Sequence, residues 1–319
     1  MLKNLVLLLS FLLGSLALAQ KEWSFKTTLG VNLGQTFNQA FIGQQNGVSF
    51  SPGFQFEEVI RLYKIPHEWR TEFALSEAWT ITTPQTVFIK SSDSLNLKSS
   101  YLYHAWGNFG PYTSAKLRTS MFKGEDVWAS QYTYKITDAA TGQVLPREQG
   151  QGSAATGTYI FHLTSPFLPL ILEQDIGFFA QPYHEDDLLL EFRAGATGRE
   201  NIAKGQRILT AVGIIYGDTP VRQLDNVYEL GPSLGVHFKG EFFEKKLSFK
   251  FSCDTLWSFL QVPIASLDST KQLSFDLSTS VGVNLFSWLS LHWQFKSIYN
   301  PAILDQVQLM SNLMLAVNL

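Results

Sequence analysis

Leu273-Ser274-Phe275-Asp276-Leu277-Ser278-Thr279-Ser280-Val281-Gly282-Val283-Asn284-Leu285 is the stretch whose reading decides the fold. Odd positions carry Leu273, Phe275, Leu277, Val281, Val283 and Leu285, and even positions carry Ser274, Asp276, Ser278, Ser280 and Asn284. Side chains on a strand alternate faces with a period of two, so this run has one apolar and one polar face. It lasts thirteen residues, more than twice the ~5–6 of a typical soluble strand. The next segment repeats it, with Leu289, Leu291, Trp293 and Phe295 against Ser290, His292, Gln294 and Lys296. The last does so again from Val307 to Leu319. The connections are too short for a crossover helix, so these strands are antiparallel neighbours.

Working outward, the same alternation opens the chain at Trp23, Phe25, Leu29, Val31 and Leu33, and returns at Trp69, Thr71, Phe73, Leu75 and Trp79. Trp69 and Trp79 stand ten residues apart on one face. At ~3.3 Å per residue and a tilt near 40°, that is roughly 25 Å along the normal, the height of the apolar band of an outer-membrane barrel. The spacing predicts strands over 23–34, 48–62, 68–81, 94–106 and 112–122. After a long interruption it predicts 187–196, 206–216, 227–240, 246–258, 272–285, 288–299 and 305–319. The expected fold is all-β: a closed antiparallel up-and-down transmembrane barrel of about twelve strands. Short turns such as Lys64-Ile65-Pro66 fall at one end, and longer loops such as 35–47, 82–93 and 259–271 at the other. The interruption, about 123–186, is expected to form a loop, cap or plug. Within it, Gln131–Thr137 and Thr158–Leu163 read as a hairpin around a tip at 148–157. If that hairpin, 128–164, joined the wall, the barrel would have fourteen strands. A periplasmic β-sandwich would use the same period, with the apolar faces packed together.

The first residues read as a cleaved signal peptide, 1–19. Lys3 supplies the basic start, Leu5–Leu13 a short apolar run, and Ala17-Leu18-Ala19 a cleavage site, leaving 20–319 as the barrel. Beyond residue 20 no apolar run approaches the ~20 residues of a membrane helix. The single cysteine, Cys253, cannot form an internal disulfide, and a net charge of −3 argues against a nucleic-acid partner. The expected surroundings are therefore outer-membrane lipid, reached through the barrel-assembly machinery of a Gram-negative envelope.

The segments Gly30-Val31-Asn32-Leu33-Gly34-Gln35-Thr36 and Ser94-Leu95-Asn96-Leu97-Lys98-Ser99-Ser100-Tyr101-Leu102-Tyr103 resemble uncharacterised bacterial outer-membrane barrels grouped as domain-of-unknown-function families, over mainly the first 120 residues. The resemblance implies a location and no activity. The final Leu319 departs from the terminal aromatic residue general among such barrels.

Inward-facing parity collects the candidate lumen-lining residues Glu57, Arg61, Glu68, Arg70, Glu72, Lys116, Arg118, Glu191, Arg193, Lys250, Asp254, Asp276, His292 and Lys296. Such charges either line a water-filled pore or pair into a ladder that fills a closed lumen. His184-Glu185-Asp186-Asp187 is the densest group of potential metal ligands, but neighbours on a strand face opposite ways, and a solvated turn is the expected reading. His104, His237 and His292 sit on polar faces near serines, yet no Gly-x-Ser-x-Gly elbow, His-Glu-x-x-His or phosphate-cradling loop is present. No catalytic, metal or cofactor site is expected. Three functions remain open: a passive or plugged, porin-like channel for small solutes; a non-conducting structural barrel whose loops bind a surface or periplasmic protein; and an outer-membrane hydrolase.

Overall fold

The computed structural model describes residues 23–318 except 33–34, 40–46, 51, 82–87, 129, 140, 154–157, 186, 211–217, 263–272, 287–288 and 302–303. Twelve wall strands follow one another around a cylinder. They are β1 (Trp23–Asn32), β2 (Gly53–Lys64), β3 (His67–Ile81), β4 (Phe88–Tyr103), β5 (Phe109–Thr119) and β6 (Leu170–His184). The others are β7 (Leu188–Ile202), β8 (Val227–Phe242), β9 (Leu247–Trp257), β10 (Leu273–Phe286), β11 (Leu289–Asn300) and β12 (Leu304–Asn318). Each pairs antiparallel with the next, and β12 closes on β1 through Thr28↔Asn318 to Val31↔Leu315. Closure removes the sheet edges that would otherwise expose unpaired backbone groups.

The wall is turned inside out relative to a soluble protein. Ile176, Leu234, Trp69 and Leu285 are 68, 63, 52 and 50 % exposed, while Glu68, Glu191 and Arg193 on the opposite parity are buried. A sandwich would cover the first set, so that alternative is excluded. A β-bulge between Ala78 and Trp79 interrupts the run from Trp69. Trp69 is exposed and donates to the Ser99 hydroxyl at 2.8 Å, whereas Trp79 packs on Phe54 and Phe122.

Two expectations are corrected. Of the segment 206–216, the described strand Arg207–Leu209 lies outside the wall, and 211–216 lie outside the described residues; Leu170–His184 supplies the wall strand instead, and the number stays at twelve. β6 escapes a pattern search because prolines stand before it and within it (Pro169, Pro182), the outward Gln174 is polar, and the inward Ile171 and Phe179 are apolar. The hairpin expected over 128–164 does not form and does not join the wall. Thr133–Asp138 pairs with Glu148–Gln149 and, in parallel, with Thr219–Gln223, which in turn holds Arg207–Leu209. Thr158–Thr164 lies in a separate three-stranded sheet between Gln151–Ser153 and Gly124–Trp128.

The described parts of the excursions 120–169 and 203–226 thus build one lobe, on the barrel end opposite the described termini. Its two sheets share a core of Tyr134, Ile136, Phe161, Leu163, Leu209 and Val221. Tyr134 and Phe161 stack at 3.8 Å. Asp126 is fully buried, accepting from Tyr134 Oη at 3.0 Å and Trp128 Nε1 at 2.8 Å. Burial raises the Asp126 carboxyl above its ordinary range, and those two donors only partly offset it. The long loops of the sequence reading also carry strand structure: Gln35–Gln39 extends the seam along β12, and Leu260–Val262 pairs with β8.

Candidate functional site: the charged lumen

Every inward-facing candidate of the sequence reading lies on the lumen side of its strand, and most are tied into three tiers. The tier nearest the turns is an alternating chain of charge. Glu68 accepts from Arg61 Nε and Arg70 Nε, both at 2.6 Å, and Glu191 accepts from Arg70 Nη1 at 2.8 Å and Arg193 Nε at 2.6 Å. Gln181 Nε2 also donates to Glu191 at 2.6 Å, and His104 Nε2 lies 3.0 Å from Glu68. Aromatic rings cap both ends, with the Arg61 guanidinium over Tyr63 and that of Arg193 over Tyr112. Beside them Leu102, Tyr112 and Phe179 form a buried apolar knot, against which the His104 ring stands edge-on at 5.0 Å.

In the middle tier Lys250 Nζ donates to Glu57 at 2.7 Å, and His237 Nε2 lies 3.1 Å from Asp254. Glu72 and Lys98 are register partners on β3 and β4. A Cβ at Gly282 would come within 2.5 Å of His292, and one at Gly235 within 2.8 Å of Asp254. These glycines make room for lumen side chains. In the outer tier Lys116 (3.4 Å) and Arg118 both engage Asp276. Arg199 bridges Glu173 at 3.4 Å and Glu229 at 3.6 Å and donates to Ser274 Oγ at 2.8 Å. Asn201 and Asn300 donate to the same Glu229 carboxylate.

Several of these bonds cross the barrel. Arg70 and Glu191 stand four strands apart in the ring, and Glu57–Lys250 and Arg118–Asp276 five apart. Twelve strands about 4.8 Å apart and tilted about 40° would close a round cylinder roughly 24 Å across. An arginine and an aspartate laid end to end reach little more than half of that. The cross-section is therefore pinched, and opposite walls are joined through charge. Among the described residues, the cavities along the lumen include one of about 30 Å³ bounded by Lys98, Tyr112, Asp175 and Arg193, and one of about 80 Å³ toward the lobe. The tier of Lys116, Arg118, Glu173, Arg199 and Asp276 stands between them.

The residues that sequence reasoning missed have identifiable reasons. Glu173, Asp175 and Gln181 lie on the unrecognised β6, and Arg199 and Asn201 lie beyond the predicted end of β7. Lys98 and Glu229 sat on predicted strands at inward parity, so their signal was present. The hydroxyl-and-base candidates resolve as follows. His292 Nε2 is 2.7 Å from Ser290 Oγ, but Ser290 is fully buried, so a substrate cannot reach it. His104 is held by Glu68 and the Gly107 carbonyl. His184 turns onto Arg61 and Tyr63, and Asp187 faces Lys245 at 3.4 Å, so the acidic turn does not converge on a point; Asp186 lies outside the described residues.

No family model matches the chain, and no curated protein matches it, so the resemblance to uncharacterised families rests on the quoted residues alone. Among solved structures the chain is similar to the NanC porin, at 6 % identity and TM-score 0.41, covering 92 % of this chain and 100 % of that one. It is similar to an outer-membrane channel from Pseudomonas putida F1, at 10 % identity and TM-score 0.38, covering 94 % and 97 %. It is also similar to the translocator domain of the autotransporter NalP from Neisseria meningitidis, at 8 % identity and TM-score 0.36, covering 99 % and 95 %.

Proposed function

We propose that this chain is a bacterial outer-membrane barrel that passes small polar solutes through a narrow lumen constricted by ion pairs. One observation carries the reading: a closed ring exposes its large apolar side chains outward and joins opposite walls inward through charge. The outward face suits acyl chains, and a row of alternating charges suits a passage in which an entering ion exchanges one partner for another. The pairs leave room for water and small ions, so the expected conductance is low. Planar bilayers containing purified protein should show small discrete steps, and Asp276→Asn, which loosens the outer tier, should enlarge them. Silence from both proteins after verified insertion would end the channel reading.

The lobe favours a second reading, a partner-binding surface barrel. A unit with its own core, on the end away from the termini, is more than a connecting loop requires. Deleting 139–157 should then abolish retention of a surface partner while heat-modifiable gel mobility persists. The hydrolase reading finds no support in the Ser290–His292 pair.

A further inference from the structure

Glu58 stands on the outer face of the wall, where a carboxyl has no lumen partner to meet. It is the register partner of Thr27, and the same row joins Trp23 to Leu62, Phe25 to Ile60, Leu29 to Phe56 and Val31 to Phe54. Trp23, Phe25, Leu29, Val31 and Phe54 are exposed outward, so Glu58 shares their face, whereas Glu57 points into the lumen toward Lys250. Its depth follows from the same register. Leu62, flanked by Trp23 and Trp69, marks one aromatic level, and Phe54, which packs on Trp79, marks the other. Glu58 is four residues from each, roughly 10 Å along the normal at ~3.3 Å per residue and a tilt near 40°. The carboxyl sits near the middle of the apolar band.

Its surroundings satisfy it only in part. Thr27 Oγ1 donates to Oε2 at 2.7 Å. Its other register partner is Phe73, and Phe25, Leu29, Phe56 and Ile60 stand beside it; no cation or second titratable group is among them. Acyl chains offer a carboxyl nothing, and ionisable groups at this depth face a partner instead of lipid. A second polar group lies one step away on the same face. Thr71, the register partner of Ile60, lies 3.2 Å from the Ser99 hydroxyl, and Trp69 donates to both. A polar strip thus crosses four neighbouring strands, β1 to β4, within the apolar band.

The occupant of this face must bring a hydrogen-bonding group to mid-depth. A second copy does so of necessity, because identical aromatic levels hold identical chains at identical depth. Residues on a two-fold axis along the membrane normal meet their own copies, so Glu58 would meet Glu58. A carboxyl pair holding one proton between them is self-complementary: one oxygen donates and the facing one accepts.

We propose that the outer face of β1–β4 is a dimer interface between two copies of this barrel, with the Glu58 carboxyls in contact at its centre. The inference goes beyond the channel reading; it requires that this face meets lipid and does not require conduction. Purified full chain should be inserted at low density in lipid vesicles, with insertion verified. Single-molecule photobleaching should count two copies per spot. In a Cys253→Ser background, a short membrane-permeable bismaleimide should link Ile60→Cys copy to copy, and should not link Leu234→Cys, six strands away from β2. Glu58→Leu, with heat-modifiable mobility retained, should weaken dimerisation about tenfold or more, since the carboxyl pair is lost. Glu58→Gln, whose amide also donates and accepts, should keep most of it. Glu200→Gln, level with Tyr228 at the outer rim, should change nothing. A parent that stays monomeric in vesicles, or Glu58→Leu dimerising as tightly as the parent, would overturn the interface. Linking through Leu234→Cys in place of Ile60→Cys would put the contact on the opposite face and overturn it as well. Dimers of a protein silent in bilayers would keep the interface and remove the channel.

Discussion

The wall and the lobe are written in the same two-residue code and read in opposite senses. In the lobe, Tyr134, Ile136, Phe161 and Leu163 turn inward and stack, as in any soluble β protein. In the wall, Ile176, Leu234 and Leu285 turn outward, and arginines and glutamates fill the middle. Alternation thus says which residues share a face, and closure of the ring says which face is inside. The cohesion differs accordingly: the lobe is held by apolar burial, the barrel by backbone ladders and a charged interior.

Perturbations placed to break each kind of cohesion should therefore act on one region and spare the other. The largest effect is expected at Glu191, which binds Arg70, Arg193 and Gln181 in the interior. Glu191→Ala strands two buried guanidinium groups and should destabilise the barrel by about 3–5 kcal/mol. The urea midpoint for loss of heat-modifiable mobility reads this, and a midpoint within error of the parent would refute the tier's role. Phe161→Ala should cost the lobe about 3–5 kcal/mol through the cavity it leaves. Limited proteolysis should then nick 120–169 while the barrel band persists.

Next comes Leu234→Arg on the outer face, expected to cost roughly 2–4 kcal/mol in bilayers if Leu234 sits at mid-depth. A value near zero there would mean that this face does not meet lipid. The smallest effects belong to exposed charge. Lys26–Glu241, with the Lys26 side chain 55 % exposed, should contribute under about 1 kcal/mol, so Lys26→Met should be nearly silent.

Acidity separates the regions again. Asp126 has its carboxyl raised by burial, so the folded lobe binds more protons than the unfolded chain between the ordinary carboxylate value and the raised one. This contribution is most favourable below the ordinary value and falls away as pH rises through the raised one. The lobe should resist protease better near pH 4 than at neutrality, and Asp126→Asn should flatten that difference.

Much of this was legible before any coordinates. Eleven wall strands overlap segments with plain alternation, and parity alone put Glu68, Arg70, Glu191 and Asp276 on the lumen side. The twelfth, β6, was hidden because it carries Ile171 and Phe179 inward and Gln174 outward, breaking the polar–apolar contrast that a pattern search needs. The segment 206–216 competed for its place because Ile208 and Leu209 are as apolar as any wall residue; both are buried, and Leu209 belongs to the lobe core. Pairing across the lumen was not legible at all. Glu57 and Lys250 are 193 residues apart, and only the pinched cross-section brings them together.

That pinch is open to direct measurement by replacing the pair with cysteines. In a Cys253→Ser background, Glu57→Cys and Lys250→Cys should be linked in the folded, membrane-inserted protein by a bismaleimide spanning less than half of the roughly 24 Å of a round twelve-strand cylinder. Efficient linking, with heat-modifiable mobility retained, is the predicted result. Failure to link when both thiols react with single maleimides would contradict it, and would mean a round, open lumen.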